Sequence, residues 1–232
     1  MGSLKRFAPQ IWLKDYPVSY GGCTFPGRMT VVKLSDGRVL IHSPCAIDLE
    51  TKAEIENIGA VGFILAPGNY HHLHVPSCQA AFPAAQTYIC PGIERKRPDL
   101  VFDGILGDVA EIGWASDLEQ VVVRGSRFMW EVAFFHRKSR TLVLVDLIEN
   151  MGETTPGTNW VLRLVWKYVF RMWNVAKPAP EYQLGWKDKS VARESLGHII
   201  SWEFEKVVMA HGEPIVEHAK DVVESAWSSV LG

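Results

Sequence analysis

At 232 residues, 47% apolar and 22% charged, the chain has the make-up of an ordinary globular protein and enough length for a core that needs no disulfide staples. A net charge of −2 lacks the basic surplus that phosphate neutralisation requires, so nucleic acid is not expected as a partner. No run reaches the roughly 20 apolar residues of a membrane span, and Cys23, Cys45, Cys78 and Cys90 lack the C-x-x-C spacing of a zinc ribbon or thioredoxin-type site. Reduced, buried thiols are the expectation. The opening MGSLKRFAPQIW lacks the apolar core of a signal peptide, which points to a cytoplasmic location.

In chain order, residues 12–20, 29–34 and 39–42 read as strands, the last two joined as a hairpin at Asp36-Gly37. Residues 49–58 place apolar or small side chains at 49, 53, 55 and 58 with charges between, and Gly59 follows as a stop, which predicts a surface helix. The strand at 60–65 feeds ILAPGNYHHLH (64–74), which breaks at Pro67-Gly68 and presents His71, His72 and His74 within four positions. A strand ending in a glycine turn puts the next side chains at the carboxyl edge of a sheet, where α/β folds hold ligands. The three histidines are therefore candidate metal ligands; alternatively they open a helix, one facing water and one packing. A helix through 77–82, a strand at 86–90 and a turn with a short charged helix at 91–99 follow.

Strands then dominate, at 120–123, 130–136 and 141–147, with 137–140 as the turn of the second pair. Val132 and Phe134 alternating with Ala133 and Phe135 suit a half-covered strand, whereas the unbroken run 142–145 suits a fully buried one. Asp146 ends that run. A buried acid there must bind a metal, accept hydrogen bonds or cap the next segment. After a turn-rich linker at 152–158, residues 159–173 (NWVLRLVWKYVFRMW) predict a helix with Arg163, Lys167 and Arg171 along one side and Trp160, Leu164, Trp166, Phe170 and Trp173 over the rest. It reads as a core helix with its bases reaching solvent, a lid over an apolar pocket, or an interfacial membrane helix. A helix at 187–206, a strand at 207–210 running into His211-Gly212, and an amphipathic helix at 217–230 close the chain. Strands and helices followed by strands and helices again is the order of a layered α/β sandwich of two similar halves.

That order, together with ILAPGNYHH, LVLVDL around Asp146 and VVMAHG around His211, resembles the metallo-β-lactamase superfamily, specifically its short branch of domains of unknown function, over about residues 29–230. The resemblance implies an α/β fold, a four-layer αββα sandwich, with one domain over 1–232 and a helical insertion at about 152–186. The superfamily motif T-H-x-H-x-D-H, laid on this stretch without a gap, puts Pro67 and Asn69 at its first two histidines, His71 at its Asp and His72 at its last His. The first metal position is thereby lost; His136, beside the 137–140 turn, reads as a turn residue. The second is matched by His71, His72, Asp146 and His211, a set suited to one zinc, iron or manganese ion, with a metal-free pocket as the alternative. Asn69, His74, Trp160 and Trp166 are expected around the pocket, and His74 could replace a lost ligand from one turn away.

Three functions are carried forward. In the first, a metal-dependent hydrolase of an ester, thioester or lactone-like small molecule uses Asp146, His72 and His211 catalytically. In the second, a metal-free enzyme of the same fold catalyses an isomerisation, elimination or cyclisation on an apolar metabolite. In the third, the chain binds a small molecule without catalysis. Metal content separates the first two, and the oligomeric state is left open by the sequence.

Overall fold

The computed structural model describes residues 3–232; Met1 and Gly2, the start of the stretch read for a leader, lie outside the described residues. The first sheet holds seven strands in chain order: β1 (Lys5–Ala8), β2 (Ile11–Tyr20), β3 (Cys23–Lys33), β4 (Val39–His42), β5 (Val61–Ala66), β6 (Gln86–Ile89) and β7 (Gly104–Ile105). β1 to β4 pair antiparallel, and β4 to β7 run parallel. Each parallel step needs a crossover, supplied by α1 (Leu49–Glu56), α2 (Val75–Ala81) and α3 (Ile93–Lys96). Asp48 starts α1 by accepting the Thr51 amide at 2.8 Å.

β2 and β3 form the longest pairing, from Ile11 opposite Val32 to Tyr20 opposite Cys23. Their turn is Gly21-Gly22, both at positive φ (56° and 78°), as a two-residue turn matched to strand twist demands. This hairpin extends six residues before the strand expected at 29–34, and its tip carries Tyr20, Cys23 and Phe25 to the functional end.

The second sheet is ordered β11-β10-β9-β8, from β8 (Leu118–Val123), β9 (Glu131–His136), β10 (Thr141–Val143) and β11 (Lys206–Val208). Val122, Val132, Phe134, Val143 and Val208 face the core between the sheets. Their neighbours Val121, Val123, Ala133, Phe135, Leu142 and Val207 face the second core, shared with Ala192, Leu196, Val223 and Trp227 of α6 (Lys189–Ser201) and α7 (Ala219–Leu231). β9 is thus buried on both faces, not half-covered, because α6 and its C-cap Trp202 seal the side where Phe135 stacks on that indole at 5.9 Å. Helices α1 and α2 cover the other sheet through Ile55, Val75 and Cys78, completing four layers, αββα. All four cysteines are buried free thiols.

Three expected elements differ. The strand foreseen through 147 stops at Val143, because the Glu131 carboxylate takes the amides of Val145, Asp146 and Leu147 at 2.6, 2.9 and 2.8 Å. A buried side chain there replaces a neighbouring strand as acceptor. The 159–173 helix is α-helical only as α4 (Trp160–Leu164), widens to a π-helix over Val165–Val169 and ends where Arg171 takes φ +52°. A short α5 (Pro180–Gly185) was not foreseen, and α6 spans 13 residues within the 187–206 expected. Among the described residues no helix is long and apolar enough to cross a membrane.

Candidate functional site

Three chain segments end at one edge of the sandwich: the turn after β5, the loop after β10 and the residues after β11. They deliver His71, Asp146 and His211, whose ligand atoms all lie within 4.8 Å of one another. His71 Nε2 stands 3.0 Å from Asp146 Oδ2, and His211 Nε2 stands 3.4 Å from Asp146 Oδ1. The two imidazoles therefore address separate oxygens of one buried carboxylate.

The far nitrogen of each ring is fixed. His211 Nδ1 donates to the Pro26 carbonyl at 2.9 Å, and His71 Nδ1 pairs with Ser43 Oγ at 2.8 Å. Such anchors set which nitrogen of a ligating histidine faces the ion. Ser43 reaches its partner from the end of β4 with φ +55°, an unfavourable conformation for a non-glycine residue. Ser43, His71 and Asp146 have the connectivity of a serine hydrolase triad. Ser43 is only 1% exposed and is absent from the cavity wall, so its hydroxyl orients His71 and does not meet a substrate.

His211 is held from the opposite sheet as well. Buried Arg28 donates through Nη1 to the carbonyls of Met209 (3.1 Å) and Gly212 (2.6 Å), and through Nε to Asp15 (2.7 Å). Gly212, at φ +93°, turns the chain where a Cβ would strike the Asn150 backbone.

Burial favours neutral groups, yet the pair of charges prevails. Burial would lower the His211 pKa, but the Asp146 hydrogen bond and charge push it up to about 9. Burial would raise Asp146, but the His71 charge and the His211 hydrogen bond hold it well below the carboxylate range. Glu131 is pushed up to about 8 by burial and by the Asp146 charge, against the three amides that favour its ionised form.

Above the cluster opens an apolar cavity of about 820 Å3, with Tyr16, Phe25, Leu73, Trp166 and Phe170 in its wall. Trp166 lies in the π-helical stretch and donates Nε1–H to Glu149 Oε2 at 3.0 Å. Glu149 is a second buried acid on this wall, pushed up to about 8 first by burial, with the His211 charge opposing and the Asp146 charge adding. Its pKa is raised above the ordinary 4.5, so the stability it contributes is present below about 4.5 and is lost as pH rises through about 8. Glu149→Gln, which keeps an acceptor for Trp166, is expected to flatten the fall of thermal midpoint across that window. An unchanged slope would assign the titration to another group.

Not every expected residue joins the site. His72 turns away: its Nδ1 faces Arg97 Nη1 at 3.3 Å, and burial, then the Lys96 and Arg97 charges, push it down to about 4. Asn69 is occupied elsewhere, its side chain donating to the Phe128 carbonyl and accepting the Trp130 amide, both at 3.1 Å, to clasp the loop before β9. Trp160 is 71% exposed on the outer side of its helix, away from the cavity wall. Trp166 and His74 do line the cavity, His74 edge-on to Tyr16 at 5.5 Å and outside the three-residue cluster. His136, expected as a turn residue, is instead the buried last residue of β9, and it bonds Ser139 of the following turn at 2.7 Å. Sequence reasoning missed Glu149, Ser43 and Pro26, and no local pattern marks them.

No curated protein matches the chain. Among solved structures it is similar to DIM-1 metallo-β-lactamase exposed to ceftazidime (13% identity, 97% of this chain and 96% of that one, TM-score 0.66). It is also similar to a metallo-β-lactamase from Pontibacter korlensis (10%, 97% and 98%, 0.65) and to FIM-1 from Pseudomonas aeruginosa in its mono-zinc form (8%, 99% and 96%, 0.66). These likenesses establish the fold. The family described as "Domain of unknown function (DUF4336)" matches residues 9–164, a span that includes Ser43, His71, Asp146 and Glu149 and stops short of His211. The chain belongs to that DUF4336 family and carries the metallo-β-lactamase αββα fold.

Proposed function

We propose that the chain is a metal-dependent hydrolase of an ester, thioester or lactone-like small molecule, and that His71, Asp146 and His211 hold one zinc, iron or manganese ion. The observation that carries this reading is the convergence of two anchored Nε2 atoms on the two oxygens of one buried carboxylate at an apolar cavity. Two imidazoles and a carboxylate suit each of these ions. A single ion is favoured because the positions matched to a first metal are Pro67 and Asn69, and the Asn69 carboxamide is committed to the 128–130 loop. One domain spans the chain in this reading, with 152–186 as a helical insertion that builds one cavity wall.

When bound, the ion polarises a carbonyl and acidifies water. The chain does the rest. Pro26 and Ser43 fix the rings, and the apolar wall keeps bulk water from the acyl group. Glu149, oriented by Trp166, can hold or release a proton at Oε1 or Oε2 on the cavity side.

One observation favours a second, metal-free reading. His211 Nε2 stands 3.4 Å from the Asp146 carboxylate, which pushes the imidazole's pKa up to about 9, so without an ion it would carry a proton and could act as an acid for isomerisation, elimination or cyclisation. Elemental analysis of protein purified without added metal, with ester and thioester turnover measured before and after chelation, decides. About one ion per chain and chelator-sensitive turnover are expected; no ion and chelator-resistant turnover would sink the hydrolase reading and leave the acid.

A further inference from the structure

The wall of the cavity has an outer side, and its composition sets it apart from the rest of the chain. Residues 154–180 hold Arg163, Lys167, Arg171 and Lys177 and no acid, although the whole chain has a net charge of −2. Arg163, Lys167 and Arg171 are exposed, and among the described residues they make no ion pair. Elsewhere Arg38, Arg97, Arg124, Arg137 and Arg140 each meet a carboxylate. Arg163 lies over the Trp173 ring and Lys167 over the Tyr168 ring, at 5.6 and 5.7 Å, contacts that leave their charge unneutralised, and among the three cations stand large apolar side chains in solvent: Trp160 at 71%, Leu164 at 46%, and Tyr168 and Val169 at 66%. Leu162 and Trp166, on the inner side, are buried with Cys23, Phe25 and Met172. The helix therefore has two apolar sides, and only the inner one has a partner.

We infer that the outer face of 160–171 docks reversibly on an anionic lipid bilayer. Trp and Tyr beside Lys and Arg on one short helix form the composition of a membrane interface, where rings sit at headgroup depth and long basic side chains reach the phosphates. Cations that no carboxylate neutralises complement anionic headgroups, and interleaving them with apolar side chains suits a fluid surface better than the depleted-charge centre of a protein interface. The same helix places Trp166 and Phe170 in the cavity wall, and the cavity-lining Leu73 and Leu184 are exposed at 69% and 73%. Docking would thus bring the cavity to the bilayer, a source of apolar substrate; this last step alone rests on the function proposed above.

Vesicle flotation of the full chain tests the docking. Binding to phosphatidylcholine vesicles containing phosphatidylserine, absent with phosphatidylcholine alone and lost at high salt, is expected. Combining Arg163→Gln, Lys167→Gln and Arg171→Gln is expected to lower partitioning about a hundredfold, since each base near such a surface contributes about 1 kcal/mol. Trp160→Ser with Tyr168→Ser should weaken it independently, and both variants should keep the wild-type thermal midpoint, which shows that folding is intact. Wild type indifferent to phosphatidylserine, or unaffected by either set of changes, would overturn the inference. So would a dimer, seen by sedimentation, that the same substitutions dissociate while vesicles bind nothing. Ester turnover on a soluble substrate, expected to be unchanged in both variants, keeps a failure here separate from a failure of the hydrolase reading.

Discussion

Asp146→Asn is expected to abolish stoichiometric metal and to reduce turnover by more than a hundredfold while leaving the fold in place. Both imidazoles address this carboxylate, one per oxygen, so the isosteric amide removes the charge they share and turns an N–H toward one of them. Loss of an outer-shell partner alone costs roughly 10- to 100-fold in affinity or activity, and a direct ligand should exceed that. His211→Ala should act in the same direction, lowering metal and turnover together. Metal content by elemental analysis, turnover and thermal midpoint on each variant make the test. If Asp146→Asn keeps its metal and loses only activity, the carboxylate is an acid–base group beside an ion held elsewhere, and the ligand set is wrong.

Glu131→Ala should be the most destabilising single change in the second sheet. Its carboxylate is the acceptor for three consecutive buried amides, and its removal strands all of them. A loss of roughly 3–5 kcal/mol follows, which for a chain of this size corresponds to a fall of roughly 6–20 °C in midpoint. Glu131→Gln should fall between, since one oxygen remains while an NH2 group now faces an amide donor. A Gln variant as stable as wild type would show that a single acceptor suffices there. Because the middle amide belongs to Asp146, both variants should also bind metal less well than their stability predicts.

The elements easiest to read were those with a clean period or a strong stop. The β3–β4 hairpin followed from Asp36-Gly37, α1 from its spaced apolar positions and Gly59, and α7 from its spaced alanines and valines. Burial on both faces of β9 was not legible, because alternation reports side-chain direction and not what covers each side; Trp202 is distant in sequence. The end of β10 was hidden for a related reason: four apolar residues promise a strand, but the amides of 145–147 are taken by a side chain from another strand. At the site, His71, Asp146 and His211 were legible as strand-end polar residues. His72 was not separable from His71, since adjacent residues point differently only once the turn's geometry is known, and Arg97 claims it from another loop. Trp160 and Trp166 looked alike in a helical pattern. The π-helical widening at Val165–Val169 and the exposure of the first turn separate them.

The anchoring of His211 by Pro26 and Arg28 has a mechanical consequence. The second sheet's last donor is clamped by a strand of the first sheet, and the Asp146 carboxylate it meets is also met by His71, which follows another strand of that first sheet. Whatever spans the three donors acts as a rivet between halves of the molecule that are far apart along the chain. Neither sheet can open locally at this edge without emptying the rivet hole, and an occupant at a hundredfold excess over its Kd would deepen the native well by about 2.7 kcal/mol. Lifetime against unfolding and proteolysis would then rise and fall with occupancy, so starvation for the occupant would be felt as turnover of the protein before it was felt as loss of a reaction.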